Sequence, residues 1–158
     1  MENPSFIAVS GVIKEIHHIP DNCCTTNLTL HTDAGIVNLL ITSDTYVINQ
    51  VPFEVGMHII GFYDSMRPVP LIYPPQFTAV IAGRKHSEED IAVDFFDETL
   101  TGHQISLKLN IAETTKIIST NGQPYPCNIE HKFLIVFYSF TTRSIPAQTT
   151  PRKIIVLC

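Results

Sequence analysis

The sequence contains no tryptophan, and only 16% of its 158 residues are charged although 44% are hydrophobic. No apolar run approaches the roughly 20 residues that a membrane-spanning helix needs, so we expect no membrane partner. No long segment has the apolar stripe of an amphipathic helix, which argues against a helical fold. The polar N-terminus, Met-Glu-Asn-Pro-Ser, is unlike a signal peptide, although a removed signal or a shortened parent chain would look the same.

Catalytic motifs are also missing. The chain has no Gly-x-Ser-x-Gly, no P-loop, no dinucleotide-binding glycine fingerprint and no His-Glu-x-x-His. Its carboxylates show no diagnostic pairing, although glycosidase-like pairs can be far apart in sequence. We therefore expect a protein that is not an enzyme and that needs no cofactor.

The charge and the cysteine content restrict which binding partners and which cellular compartment we expect. The net charge is -5, and the tyrosines are not interleaved with lysine or arginine, so nucleic acid is an unfavoured partner. The four cysteines, at positions 23, 24, 127 and 158, include a neighbouring pair that rarely bridges and a terminal residue that is poorly placed to do so. We expect free thiols in a reducing compartment and hence a cytoplasmic location.

Alternating apolar residues predict strands throughout. Ile105, Leu107, Leu109 and Ile111 alternate with polar residues, a period-two pattern with one buried face. The first half is predicted to form five strands with a link between the third and fourth, which is the outline of an OB-like barrel. These strands are Phe6–Ile16, Thr26–Thr32, Ile36–Thr42, Met57–Tyr63 and Phe77–Ala82. The second half shows Ile91–Asp97, Ile105–Ile111, Phe133–Ser139 and Lys153–Leu157 and lacks an obvious first strand.

A repeated motif links the two halves. The pattern Arg-x-(Val/Ile)-Pro-x4-Pro occurs twice at a separation of 76 residues, while matched upstream strands are separated by 70 and 75. The motif residues are Arg67, Pro70 and Pro75 in the first copy and Arg143, Pro146 and Pro151 in the second. The sequence therefore predicts an all-β protein of two tandem OB-like barrels related by internal duplication, 1–84 and 85–158, tightly packed together, the second lacking its own first strand.

The repeated motif and the Phe-Tyr that precedes it resemble an uncharacterised family of small bacterial proteins. That family pairs OB-like units, and some of its members are attached to domains like the copper-amine-oxidase N-terminal domain. The resemblance covers nearly all of the chain, but it implies no catalytic residue, and the copper association belongs to domains that are absent here.

Two loops are candidate ligand sites, because OB folds usually bind ligands beside the loops that join strands one to two and four to five. The loop Ser65–Gln76 is stiffened by prolines and offers the donor fork of Arg67 and the ring of Tyr73, next to Pro74. A structural role for Arg67 and the repeated prolines is favoured, since they recur in both copies. Tyr73 and Pro74 occur in one copy only, and the position that matches Tyr73 is Thr149.

The other candidate loop, His17–Cys24, contains His17, His18, Cys23 and Cys24, which together suit zinc or monovalent copper. Their spacing matches no established zinc finger, so an ordinary solvated loop is favoured over a metal site. The sequence as a whole predicts a non-catalytic binding or interaction module for a small ligand, a glycan or a protein partner, with its site in the first half. The alternatives are a single-stranded nucleic-acid-binding protein and a metal-binding accessory protein.

Overall fold

The computed structural model describes residues 3–158 and divides into two compact units, Met1–His86 and Ser87–Cys158. The described residues form thirteen strands and one 3-10 turn, Ile48–Gln50, and contain no α-helix, so the predicted all-β class is confirmed. The strands are β1 (Phe6–Ile19), β2 (Asn22–Thr32), β3 (Gly35–Ile41), β4 (Tyr46–Val47), β5 (His58–Asp64), β6 (Gln76–Thr78), β7 (Ile81–Arg84), β8 (Asp90–Phe96), β9 (Leu107–Leu109), β10 (Lys116–Ser119), β11 (Lys132–Tyr138), β12 (Ala147–Thr149) and β13 (Lys153–Leu157).

The first unit is a single seven-stranded sheet in the order β4-β7-β5-β1-β2-β3-β6. The long strand β1 lies at its centre and pairs antiparallel with both β2 and β5. Apolar residues of β1, β2, β3, β5 and β7, together with Ala79 between β6 and β7, form a hydrophobic core. That core consists of Ile13, Leu28, Leu30, Leu39, Ile59, Ala79 and Ala82.

The second unit contains a four-stranded sheet, β10-β13-β11-β8, and a two-stranded sheet, β12-β9. Its strands β11 and β13 are almost completely buried, as their nearly continuous apolar sequences predict. Its core consists of Ala92, Phe96, Leu107, Leu109, Ile129, Leu134, Val136, Ile154 and Val156.

Four strand pairings occur in both units in the same order along the chain. The antiparallel pairs β1–β5 and β5–β7 correspond to β8–β11 and β11–β13. The parallel pairs β4–β7 and β3–β6 correspond to β10–β13 and β9–β12. Each unit thus contains six strands that pair in the same way.

The prediction that the second half lacks its first strand is wrong in detail. Strand β8 pairs with β11 as β1 pairs with β5, so the strand without a counterpart is β2. In place of β2 the chain makes a short loop, joined to its neighbours by the bridges Phe96–Gly102 and Thr101–Lys108. The buried carboxylate of Asp94 holds this loop, because its Oδ2 accepts hydrogen bonds from the amides of Gln104 and Ile105 at 2.8 and 2.9 Å.

The predicted alignment of the Arg-Pro motif is also wrong. Tyr46 pairs with Ile81 and Lys116 pairs with Lys153, so the matched last strands are separated by 72 residues, not 76. The separation is 75 at β5 and β11, and the loop that follows β11 is therefore three residues shorter than the loop that follows β5. At this register Pro146 corresponds to Pro74 and Pro151 to Ala79. The two copies of the motif therefore do not occupy equivalent positions, and this applies to Arg67, Pro70, Pro75 and Arg143. The loops differ in length, so the prolines aligned in the sequence only through their similar spacing.

The predicted loop His17–Cys24 is almost entirely strand. Strand β1 continues to Ile19 and β2 begins at Asn22, so the turn consists of Pro20 and Asp21 alone. Asp21 has φ 62°, a conformation that aspartate tolerates in tight turns. Other differences are smaller: the predicted last strand of the first half is split into β6 and β7, and the short strands β4 and β10 were not predicted. Among the described residues, no helix is long and apolar enough to cross a membrane.

Candidate functional site

A groove of about 550 Å³ opens in the first unit where the turn after β3 meets the segment that leads into β7. Asp44 lies on that turn, Thr78–Val80 forms the segment, and Arg67 reaches the groove from the loop after β5. We call this site the first groove. Its lining residues are Asn22, Cys24, Thr25, Thr42, Ser43, Asp44, Arg67, Thr78, Ala79 and Val80.

A groove of about 530 Å³ opens in the second unit between the corresponding elements. Thr114 follows β9 as Asp44 follows β3, and Thr150–Arg152 leads into β13 as Thr78–Val80 leads into β7. We call this site the second groove. Its lining residues are Asn110, Thr114, Ser139, Phe140, Thr141, Thr142, Gln148, Thr149, Thr150, Pro151 and Arg152.

The same kind of hydrogen-bonded turn is present at both grooves. The hydroxyl of Thr45 accepts the amide of Thr42 at 2.9 Å and donates to the carbonyl of Ala79 at 2.7 Å. In the second unit the hydroxyl of Thr115 accepts the amide of Ala112 at 3.2 Å and donates to the carbonyl of Pro151 at 2.8 Å. The turn after β3 or β9 is thereby tied to the segment before the last strand.

The first groove carries charge of both signs. Arg67 is largely exposed, and its Nε lies 3.5 Å from Oδ2 of Asp64, a weak surface ion pair. The other oxygen of that carboxylate accepts the amides of Ser5 and Met66, each at 3.0 Å. Asp44 supplies a carboxylate to the wall of the groove itself. Arg143 forms no ion pair among residues 3–158, so the two arginines play different parts.

The second groove is lined by hydroxyl and amide side chains with a single charged residue. The guanidinium of that residue, Arg152, donates two hydrogen bonds to Glu89, at 2.7 and 2.8 Å. The hydrogen bond with Glu89 raises the pKa of Arg152 above its ordinary value. The side-chain amide of Asn110 donates to Gln148 Oε1 at 3.1 Å, which orders one wall.

An aromatic ring stands beside the second groove. Phe140 is 89% exposed, although phenylalanine is usually buried. Its carbonyl accepts the hydroxyl of the buried Thr149, so the backbone beneath the exposed ring is held in place. Phe140, Gln148 and the threonines of this groove were not predicted as site residues from the sequence. The cluster Phe140-Thr141-Thr142 was the available signal, but only the fold brings it beside 148–152.

The predicted site residues are dispersed. Arg67 lines the first groove, but Tyr73, Pro74, His17 and His18 line neither groove. Tyr73 is 89% exposed in the loop after β5. The Tyr73–Pro74 peptide bond is cis, as is Ile145–Pro146 in the second unit. His17 and His18 are neighbours in β1, so they point to opposite faces of the sheet.

The proposed metal ligands do not converge either. His17 is instead bonded to Glu15, with 2.8 Å between Nε2 and Oε2. In the described part of the chain, no three His, Cys, Asp or Glu side chains are placed to hold a metal ion. Cys23 and Cys24 lie at an irregularity of β2, where three residues have no partner between the pairs Ile19–Asn22 and His18–Thr26. Both thiols are exposed and free, as are those of the other two cysteines.

Burial lowers the pKa of a lysine next to the second groove. Lys153 is only 8% exposed at the start of β13, and its Nζ lies 5.2 Å from the centre of the Phe137 ring. Desolvation, followed by the positive charges of Arg152 and Lys116, lowers the pKa of Lys153 below its ordinary value. Arg152, bonded to Glu89, therefore contributes little free positive charge to this region.

No protein-family model matches the chain, and no significant match is found among the curated proteins. The resemblance to the family of small bacterial OB-like proteins therefore stays a prediction, and the functional argument rests on the two grooves themselves.

Proposed function

We propose that the protein is a non-catalytic binding module made of two OB-like units related by duplication, and that its ligands bind in the grooves. The duplication is supported by the four matching strand pairings and by the matching hydrogen bonds of Thr45 and Thr115. Under this proposal, the second unit has no counterpart of β2 because one copy changed after the duplication.

The observation that carries the binding proposal is the recurrence of a groove at one place in both units. Side chains at matched positions differ, as at Asp44 and Thr114, yet a concavity of about the same volume is present in each. Volumes of roughly 300–1,000 Å³ are typical of small-ligand sites. Loops beside a barrel are also where OB folds usually bind, which supports the same location.

Binding without catalysis is favoured by the chemistry of the second groove. Its lining, as far as the described residues go, includes no carboxylate, histidine or cysteine, which are the usual general acids, bases and nucleophiles. The first groove includes Asp44 and Cys24, but they are not accompanied by a histidine that could activate a thiol.

Groove-filling variants test this proposal. Thr78→Trp should obstruct the first groove and Thr150→Trp the second, and both positions are exposed, so the fold should tolerate each ring. We expect a ligand found by thermal-shift screening of metabolites and oligosaccharides to lose binding in one of these variants. Ligands that bind both variants as tightly as the wild-type protein would place the site elsewhere and overturn the proposal.

A second candidate is a protein partner that docks on the loop Met66–Tyr73. Leu71 is fully exposed, and Ile72 and Tyr73 are 53% and 89% exposed, so this loop presents apolar side chains to solvent. Under this alternative, Leu71→Ser should abolish capture of a partner by immobilised protein, while Thr78→Trp and Thr150→Trp should leave that capture unchanged. The opposite pattern would favour the grooves.

Single-stranded nucleic acid is the weaker alternative. Arg67 and Arg152, the arginines that line the two grooves, are each close to a carboxylate, whereas strand binding needs unpaired cations along a channel. Labelled oligonucleotides would decide the matter, since binding that weakens steeply with salt would support this alternative.

A further inference from the structure

We propose that the second groove binds a neutral carbohydrate, with Phe140 as the platform for a sugar ring. This inference rests on the proposed function, because it names the class of ligand for one of the two grooves. It differs from the expectation drawn from the sequence, which placed the site in the first half.

The lining chemistry selects a neutral ligand rich in hydroxyl groups. Serine and threonine hydroxyls and the amides of asparagine and glutamine both donate and accept hydrogen bonds, as sugar hydroxyls do. Eight of the eleven lining residues have such side chains: Asn110, Thr114, Ser139, Thr141, Thr142, Gln148, Thr149 and Thr150. Among residues 3–158, no acidic residue lines the groove, and the guanidinium of Arg152 is already bonded to Glu89.

Several of these groups keep their hydrogen-bonding capacity. Within residues 3–158, the hydroxyls of Thr114, Thr141 and Thr150 make no hydrogen bond to the protein, and all three residues are exposed. The side-chain oxygen of Gln148 accepts a hydrogen bond from Asn110, and the side-chain NH₂ group of Gln148 takes no part in that bond. A ligand therefore meets both ordered and uncommitted polar groups.

Phe140 supplies the apolar contact that a sugar ring requires. Burial of a phenylalanine side chain stabilises a fold, and an 89% exposed ring forgoes that stabilisation. One face of a pyranose carries C–H groups and can cover such a ring, while its hydroxyls point outward to the threonines. A single exposed aromatic residue beside neutral polar groups is the arrangement that this contact needs.

The first groove serves as a contrast within the same molecule. At the matched positions it has Asp44 where the second groove has Thr114, and Ser65 lies where the second unit has Phe140. In the described part of the chain, no aromatic residue lines the first groove, and Arg67 adds a charge. We therefore expect neutral carbohydrate to bind the second groove and not the first.

Calorimetric titration with neutral hexasaccharides of glucose, xylose and N-acetylglucosamine tests the inference. A hexasaccharide of galacturonic acid is the charged control. We expect at least one neutral probe to bind, and Phe140→Ala to weaken its association about tenfold or more, the equivalent of 1.4 kcal/mol. Phe140→Tyr, which keeps the ring, should bind within about threefold of the wild type, and Ser65→Ala should bind unchanged.

The outcomes separate this inference from the proposed function. Failure of all neutral probes, or equal binding by Phe140→Ala, overturns the carbohydrate inference. If another class of ligand then loses binding in Thr150→Trp, the proposed function stands with a different ligand. If every ligand found is insensitive to both groove-filling variants, the proposed function fails as well. Phe140 is exposed, so its variants should unfold at the wild-type temperature, and a thermal melt confirms that the fold is intact.

Discussion

The hydroxyl of Thr115 donates a 2.8 Å hydrogen bond to the carbonyl of Pro151, in the buried turn that leads into β13. Its replacement by alanine leaves that carbonyl and the amide of Ala112 without their side-chain partner. We expect Thr115→Ala to lower the free energy of unfolding by about 1–2 kcal/mol, measured by urea denaturation. Thr115→Ser retains the hydroxyl and should recover most of the loss.

The same prediction applies to the equivalent residue of the first unit. Thr45 makes the matching bond to Ala79, so Thr45→Ala should destabilise by a similar amount. Thr114, which precedes Thr115 and is exposed, is the control, and Thr114→Ala should change stability by less than about 0.5 kcal/mol. Equal effects of the Thr114 and Thr115 variants would show that the turn is not held by this hydrogen bond.

Asp94 should be essential to the loop that replaces a second strand in the second unit. It is 4% exposed, and its two oxygens accept the amides of Phe95, Gln104 and Ile105. Hydrogen bonds to a charged group are worth about 1.5–3 kcal/mol each, and asparagine places a donor where an acceptor is needed. We expect Asp94→Asn to lower the unfolding free energy by about 2–4 kcal/mol, whereas the exposed Asp44→Asn should have little effect in the same denaturation experiment.

Lys153 should make stability depend on alkaline pH. Its pKa in the folded protein lies below the ordinary value of 10.5, because burial disfavours the charged ammonium. Between these two values the unfolded chain binds more protons than the folded one, so the contribution of Lys153 to stability rises with pH. The cost of burying the charge is thus fully present at neutral pH and is relieved as the pH approaches 10.5.

The variant Lys153→Met isolates this effect. It should be more stable than the wild type at neutral pH, by about 0.5–2 kcal/mol, and this advantage should shrink toward pH 10.5. Tyr46 and Tyr138 have raised pKa values from burial, which reduces stability at high pH in both proteins and cancels in the difference. An advantage that stays constant or grows with pH would contradict the assignment.

Asp97 should titrate below its ordinary pKa of 3.8. The amide of Thr101 and the hydroxyl and amide of Thr99 donate to its Oδ1, which favours the ionised form and lowers the pKa. Its contribution to the loop is present above the unfolded pKa and is lost as the pH falls through the lower folded value. Carboxyl NMR titration checks this, and Thr99→Ala should move the midpoint of Asp97 back toward 3.8, while a midpoint at or above 3.8 in the wild type would refute it.

The sequence was sufficient to predict the strands with clear alternation. Period-two patterns identified β3 and β9, and continuous apolar runs identified β5 and β11, because these segments form large parts of their cores. The very short strands β4 and β10 could not be recognised, since their pairing with β7 and β13 depends on contacts made far along the chain.

The candidate site was harder to predict. The Arg-Pro motif suggested a register of 76 residues, whereas strand pairing sets it at 72, because loops tolerate changes in length that strands do not. Tyr73 was singled out for its absence from the other copy, yet it points into neither groove. The second groove joins Asn110, Phe140 and Gln148, which are distant in sequence, and no local pattern marks such a set.

Amide chemical-shift mapping tests the central claim most directly. The isotopically labelled protein would be titrated with the tightest ligand found in the screen, and shifts would be followed for every assigned amide. The account predicts that the largest changes cluster in one groove, at Thr114, Phe140–Thr142, Gln148–Thr150 and Arg152 for a neutral carbohydrate. Changes confined to Leu71–Tyr73, or spread without a maximum at either groove, would contradict it.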